Sequence, residues 1–161
     1  MKILHITRCL IVTLFLTSSF VTTAQLQEVS SPVFPVLSGE NLNGKTFHLP
    51  QDLPADRTLV LIAFEREQQV VLDSWSQGLD LLNSQIPWIE VPVISTPYML
   101  GSFFISSGMR RGITNPKIRE RVITLYTDRE AFSKSMGIEY NQHEAYVSVV
   151  DRSGKSLGVV K

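Results

Sequence analysis

Residues 59–75 read LVLIAFEREQQVVLDSW. Two patterns meet in this stretch. Thr58 to Phe64 (TLVLIAF) is an unbroken apolar run, which suits a strand buried on both faces of a sheet. From Glu65 the period changes. Val71, Trp75, Leu79, Leu82 and Ile86 recur every three to four residues, as one face of a helix that Pro87 stops. Glu65 and Glu67 fall in the first turn of that helix, where acidic side chains suit the positive end of the dipole. Glu65, Arg66, Glu67, Gln68 and Gln69 thus make a wholly polar junction between an apolar strand and an amphipathic helix.

The same alternation continues downstream. Trp88 to Ser95 (WIEVPVIS) reads as a second strand, with Pro92 an objection to it. Thr96 is placed to cap a helix with Pro97 at its first position. That helix runs through Tyr98, Met99, Phe103, Phe104 and Met109, and Gly112 ends it. Asn115-Pro116 is a turn, and Arg121 to Tyr126 (RVITLY) a third strand. Thr127-Asp128-Arg129-Glu130 has the spacing of a capping box, starting a short helix from Arg129 to Met136 that Gly137 closes. Ala145 to Val150 is a strand, Asp151 to Gly154 a turn, and Lys155 to Val160 a hairpin partner. Upstream, Asn41 to Gly44 is a turn signal leading into a short edge strand from Lys45 to Leu49. Residues 25–40, with Pro32, Pro35 and Ser38-Gly39, read as a linker or lead-in. Strands alternating with helices imply βαβ crossovers and a partly parallel sheet, which the closing hairpin makes mixed. The expected architecture is a single α/β domain over residues 41–161, a three-layer sandwich with a C-terminal β-hairpin.

Residues 1–24 carry a signal-peptide pattern. Lys2, His5 and Arg8 make a basic start, Cys9 to Val21 an apolar run, and Thr22-Thr23-Ala24 a small-residue site for cleavage. The alternative is an uncleaved membrane anchor. The expected location is outside the cytoplasm, in a periplasm. Cleavage near Ala24 removes the only cysteine, Cys9, so the mature chain holds no thiol and forms no disulfide. It also removes Lys2 and Arg8. Thirteen of the 15 basic residues then stand against 15 acidic ones, a net charge of about −2 that gives no case for nucleic acid.

Over residues 40–161 the chain resembles thioredoxin-like proteins. The carrying segments are TLVLIAF before the polar junction, VITLYTDREAFSKSMGI, and AYVSVVDRSGK with its strand, Asp-x-x-Gly turn and strand. GKTFHLPQDL is similar to the small hairpin that opens many peroxiredoxin-like domains. The resemblance implies redox chemistry at the strand-to-helix junction, but this chain departs from it. Gln68 and Val71 stand near the two redox-cysteine positions, and Ala145 stands where the family usually has a cis-proline. GMRRG, RERVITLYTD and YVSVVDRSGK are also similar, in order, to the mitochondrial assembly chaperones of the ATP synthase membrane sector. That likeness would imply an assembly role without catalysis.

Thiol chemistry needs a thiolate, which the mature chain lacks. Metal chemistry needs three or four convergent ligands. Glu65, Glu67, His143 and Glu144 are the group the thioredoxin-like arrangement would bring together, and a metal-assisted hydrolase using residues 65–69 with His143 is the alternative enzyme reading. Neither a metal nor a cofactor is expected. The serines lack a nucleophile-elbow context, and no glycine-rich loop offers a phosphate cradle. The one charged feature is Arg110, Arg111, Lys117, Arg119 and Arg121, read either as dipole complementation and a solvated turn or as a patch for anionic lipid headgroups or an acidic partner. The Tyr98–Met109 stripe is core or, in part, an exposed binding face. The reading reached is a non-catalytic, cysteine-free thioredoxin-like protein that is exported and acts by binding an as yet unidentified protein, as an assembly or quality-control factor. Its candidate contacts are Glu65 to Gln69 with His143, and the five bases.

Overall fold

The computed structural model describes residues 31–95 and 99–161, with side chains described at 31–95 and 105–161. The signal-peptide segment, the Thr96-Pro97 cap and most of the Tyr98–Met109 stripe lie outside the described side chains.

The apolar run becomes strand β3 (Arg57–Ala63), in the interior of a seven-stranded sheet. β4 (Trp88–Ile94) pairs parallel with β3, and β5 (Ile123–Tyr126) parallel with β4. β6 (Tyr146–Asp151) lies antiparallel on the other side of β3, followed by its hairpin partner β7 (Ser156–Val160). β1 (Leu37–Asn41) and β2 (Thr46–Leu49) complete the order β2-β1-β5-β4-β3-β6-β7. The sheet is mixed, as expected. Pro92 sits inside β4, opposite Ala63 of β3.

Successive β3 side chains enter different cores, which is why the run shows no polar alternation. Leu61 and Ala63 meet Leu72 of α1 (Gln69–Gly78), together with Leu81, Trp88, Ala145 and Val147. Val60 and Ile62, with Phe64 beyond the strand end, meet Ile89, Val91, Val93, Ile123 and Leu125, and Phe132 of α4 (Arg129–Ser135). Phe64 presents its ring edgewise to Phe132, Tyr140 and Tyr146. Two further helices, α2 (Met99–Gly112) and α3 (Pro116–Arg121), connect β4 to β5.

Four boundaries differ from the sequence reading. The lead-in is not a linker from Pro32 onward. Phe34 is 1% exposed and edge-on to Phe132. The Val33 N–H donates to Ser135 O at 2.8 Å, and Pro32 O accepts from Ser156 N–H at 2.9 Å. Leu37–Asn41 is a sheet strand. Pro32 and Pro35 exclude helix, but the extended backbone they impose is also what a strap along a sheet edge requires.

The second difference is the start and end of the helix after β3. It opens with a 3-10 turn, Arg66–Gln68, and α1 runs only to Gly78. Asp80 takes a left-handed φ of +46°. Its N–H bonds to Gln77 O at 3.0 Å and the Leu81 N–H to Ser76 O at 2.9 Å, a Schellman closure. The phase therefore slips. Leu81 is buried, whereas Leu82 and Ile86 are exposed.

Third, Asn115-Pro116 is a helix start rather than a plain turn. Asn115 Oδ1 accepts from Lys117 N–H at 3.0 Å with Pro116 at the first position, so α3 takes Arg121 and β5 begins at Ile123. Fourth, the cap of α4 is Asp128, accepting from Ala131 N–H at 2.7 Å, one residue later than the Thr127 of the box.

Candidate functional site

The carboxyl ends of parallel strands β3, β4 and β5 lie side by side, the usual place for ligands in α/β sheets. Glu65 leaves the end of β3 and Arg129 enters from the first turn of α4. The Arg129 guanidinium donates Nη1 to Glu65 Oε1 at 2.5 Å and Nε to Val93 O at 3.1 Å. Tyr140 Oη donates to the same Glu65 oxygen at 2.9 Å and accepts from Arg129 Nη1 at 3.3 Å. All three are part-buried. They tie the ends of β3 and β4 to α4 and to the loop before β6.

Gln68 is the buried centre of the junction, 2% exposed. Its Oε1 accepts from the N–H groups of Phe64 at 2.7 Å and Glu65 at 3.2 Å, and its Nε2 donates to Asn141 O at 2.9 Å. The amide satisfies backbone groups of the β3 end and of the loop before β6, and Ala145 is buried in the α1-side core.

The remaining candidates separate. Arg66 and Glu67 are exposed. Gln69 donates to Asp73 Oδ1 at 3.1 Å. His143 is exposed, its N–H held by Asn141 Oδ1 at 2.8 Å. Its loop reaches the junction through the Asn141 carbonyl, not through the imidazole. Among the described residues no three of His, Cys, Asp and Glu converge on one point. Glu65, Glu67, His143 and Glu144 do not form such a group.

The basic run also divides. Arg110, Arg111 and Lys117 are exposed. Arg121 lies over the Trp88 ring, 5.2 Å from its centroid, and donates Nη1 to Trp88 O at 3.1 Å. Arg119 is half-buried, with Nε lacking a partner. Residues 117, 119 and 121 of one short helix cannot all face one way, so the five bases form no single patch.

Beside the junction an open cleft of about 400 Å³ is lined by Tyr140, Asn141, Glu144, Tyr146 and Lys161 among others. Tyr146 Oη donates to Glu139 O, and burial followed by the adjacent Glu144 carboxylate pushes the phenol above its usual range. Lys161 Nζ pairs with Glu144 Oε1 at 2.9 Å, which raises the ammonium.

One charged residue escaped the sequence reading. Glu90, in the middle of β4, is 5% exposed and its Oε1 has no partner. Burial pushes its carboxyl up to about 7. The nearby Gln69 amide works against this, and the Asp73 charge adds to it. The signal was there, since Glu90 is the only charge in WIEVPVIS, but an apolar strand was the simpler reading.

The mixed sheet, the helices on its faces and the closing β6–β7 hairpin define a thioredoxin-like α/β fold. Solved structures place the chain in the same class. It is similar to the pneumococcal exposed lipoprotein thioredoxin Etrx1 of Streptococcus pneumoniae, at 12% identity and TM-score 0.51, over 78% of this chain and 88% of that one. A putative electron transport protein of Aquifex aeolicus matches at 9% identity and TM-score 0.55, covering 81% and 86%. The copper-bound ScoI of Arabidopsis thaliana matches at 12% and 0.51, covering 80% and 87%. No protein-family model and no curated protein matches the chain. The likeness to mitochondrial assembly chaperones finds no support in these comparisons.

Proposed function

We propose that this is an exported thioredoxin-like protein that acts by binding, using the former active-site junction as a recognition surface rather than a reaction centre. The observation that carries this reading is Gln68. A buried amide bonded on three sides to backbone stands at the strand-to-helix junction, where the thioredoxin-like resemblance implies redox cysteines. Around it Glu65, Arg129 and Tyr140 form a fixed polar rim, with Arg66 and Glu67 projecting beyond. Such preorganised polar groups lose little freedom on binding. The basic start, apolar run and small-residue site of residues 1–24 support export, and one structural neighbour is itself described as an exposed lipoprotein. The exposed Arg110, Arg111 and Lys117 add a second contact for an acidic partner or anionic lipid headgroups.

The test is capture of proteins from an envelope extract on the immobilised mature chain, compared with an Arg66→Glu/Glu67→Lys variant. Both residues are exposed, so the fold is expected to survive and retention to fall. The reading fails if the variant retains the same proteins at the same level. It also fails if the wild-type mature protein reduces insulin or turns over peroxide.

A further inference from the structure

We propose that Glu90 is a proton-operated latch that sets how firmly α1, and with it the polar junction, docks on the sheet. Alternation along β4 fixes its direction. Ile89 and Val91 enter the α4-side core, whereas Trp88 belongs to the α1-side core, and Glu90 shares the parity of Trp88. The carboxyl therefore lies on the face of the sheet that α1 and α3 cover, in the layer of Leu72 and Ile118.

Each neighbouring element adds to its surroundings. On β3 its lateral partner is Leu61, and its bridge partner on the other side is Val122, between α3 and β5. Thr124, further along β5, is buried with its own hydroxyl unpartnered. From α1 come Gln69 and Asp73, joined to each other by a hydrogen bond. From α3 come Arg119 and Arg121, and Arg121 is turned onto the Trp88 ring and carbonyl. From α2, the described charged side chains, Arg110 and Arg111, are exposed. Among the described residues Glu90 has no ion pair, and the charge raising its carboxyl is Asp73.

A neutral carboxyl fits this space. An ionised one is a desolvated anion with an unpartnered oxygen, and the Asp73 charge on α1 acts against it. The repulsion acts on the first two turns of α1. Gln69 opens that helix and follows directly on Gln68, whose side chain closes the junction. Ionisation therefore loosens both. The latch is independent of whether the junction binds a partner, because it is read in the unliganded protein.

The chain supplies its own reporters. Its two tryptophans are Trp75 on α1 and Trp88 on β4, both in this core. The experiment is tryptophan fluorescence of the mature protein from pH 5 to 9, with hydrogen exchange of the α1 amides corrected for intrinsic rates. The wild type should show one step near neutrality, with α1 protection about tenfold lower at pH 8 than at pH 6. Glu90→Gln should abolish the step. Asp73→Asn, at an exposed position, should move it to lower pH, and a His48→Gln/His143→Gln variant should retain it. The proposal is overturned if the wild type is flat over this range, if Glu90→Gln keeps the step, or if the histidine variant loses it. Should Glu90→Gln not fold, an unmoved midpoint in Asp73→Asn overturns it equally.

Discussion

Gln68 makes three hydrogen bonds to the backbone from a position almost closed to water. Truncation to alanine would leave the Phe64 N–H and the Asn141 carbonyl without their partner, at about 1–3 kcal/mol for each buried group. Gln68→Ala is therefore expected to lower stability by roughly 3 kcal/mol, read from urea unfolding. Gln68→Glu separates the two halves of the role. A carboxylate still accepts from Phe64 and Glu65 but cannot donate to Asn141 O, so the 139–145 loop should gain amide exchange while the β3 end stays protected. Equal exchange in both places would refute the division. Residue type alone showed that the junction was polar and thiol-free. It did not show that Gln68 points inward while Arg66 and Glu67 point out, because one 3-10 turn sets that difference. Glu90 is the converse case. One acid in an apolar strand was visible, but its burial and its face depend on where α1 lies.

At the scale of elements, strands were more legible than helix ends. β3, β4, β6 and the β6–β7 turn follow from local pattern, since an apolar run or an Asp-x-x-Gly turn determines its own geometry. In that turn Asp151 Oδ1 accepts from Ser153 N–H at 2.9 Å and Lys155 N–H at 3.0 Å. Bonds of this kind, the Ser153 hydroxyl first, hold the Asp151 carboxyl below its ordinary range. The helix after β3 was over-extended because Leu79, Leu82 and Ile86 keep a helical period past the point where Asp80 breaks the backbone. Periodicity cannot register a single left-handed residue. That residue yields a prediction. Asp80→Gly relieves the positive φ and should raise stability by about 0.5–1 kcal/mol, less the exposed bond to Asn83. Asp80→Val, β-branched at the same φ, should lower it by about 1–2 kcal/mol. Thermal unfolding of the pair checks the sign, and a fall in both would mean that Asp80 acts through its side chain.

Across the whole molecule, the least legible feature was the extent of the domain. A Pro- and Ser-containing lead-in looks like a tether, and only tertiary contacts reveal that Phe34 fills the α4-side core. Phe34→Ala is thus expected to cost about 3–5 kcal/mol, whereas an unpacked tether residue would cost nothing measurable. The pH dependence of global stability is also a property of the whole chain, and Glu90 sets its sign. Its carboxyl lies at 4.5 in the unfolded reference and is pushed to about 7 by burial in the fold. Between those values the folded state binds the extra proton, so stability falls as pH rises through the window and levels off above it. The full loss is on the order of 3 kcal/mol. Urea unfolding at pH 5 and pH 8 should show the wild type weaker at pH 8 by a sizeable part of that amount. Glu90→Gln, neutral throughout, should lose most of this difference and exceed the wild type at pH 8. A wild type equally stable at both values would place Glu90 in water, contrary to its burial in β4.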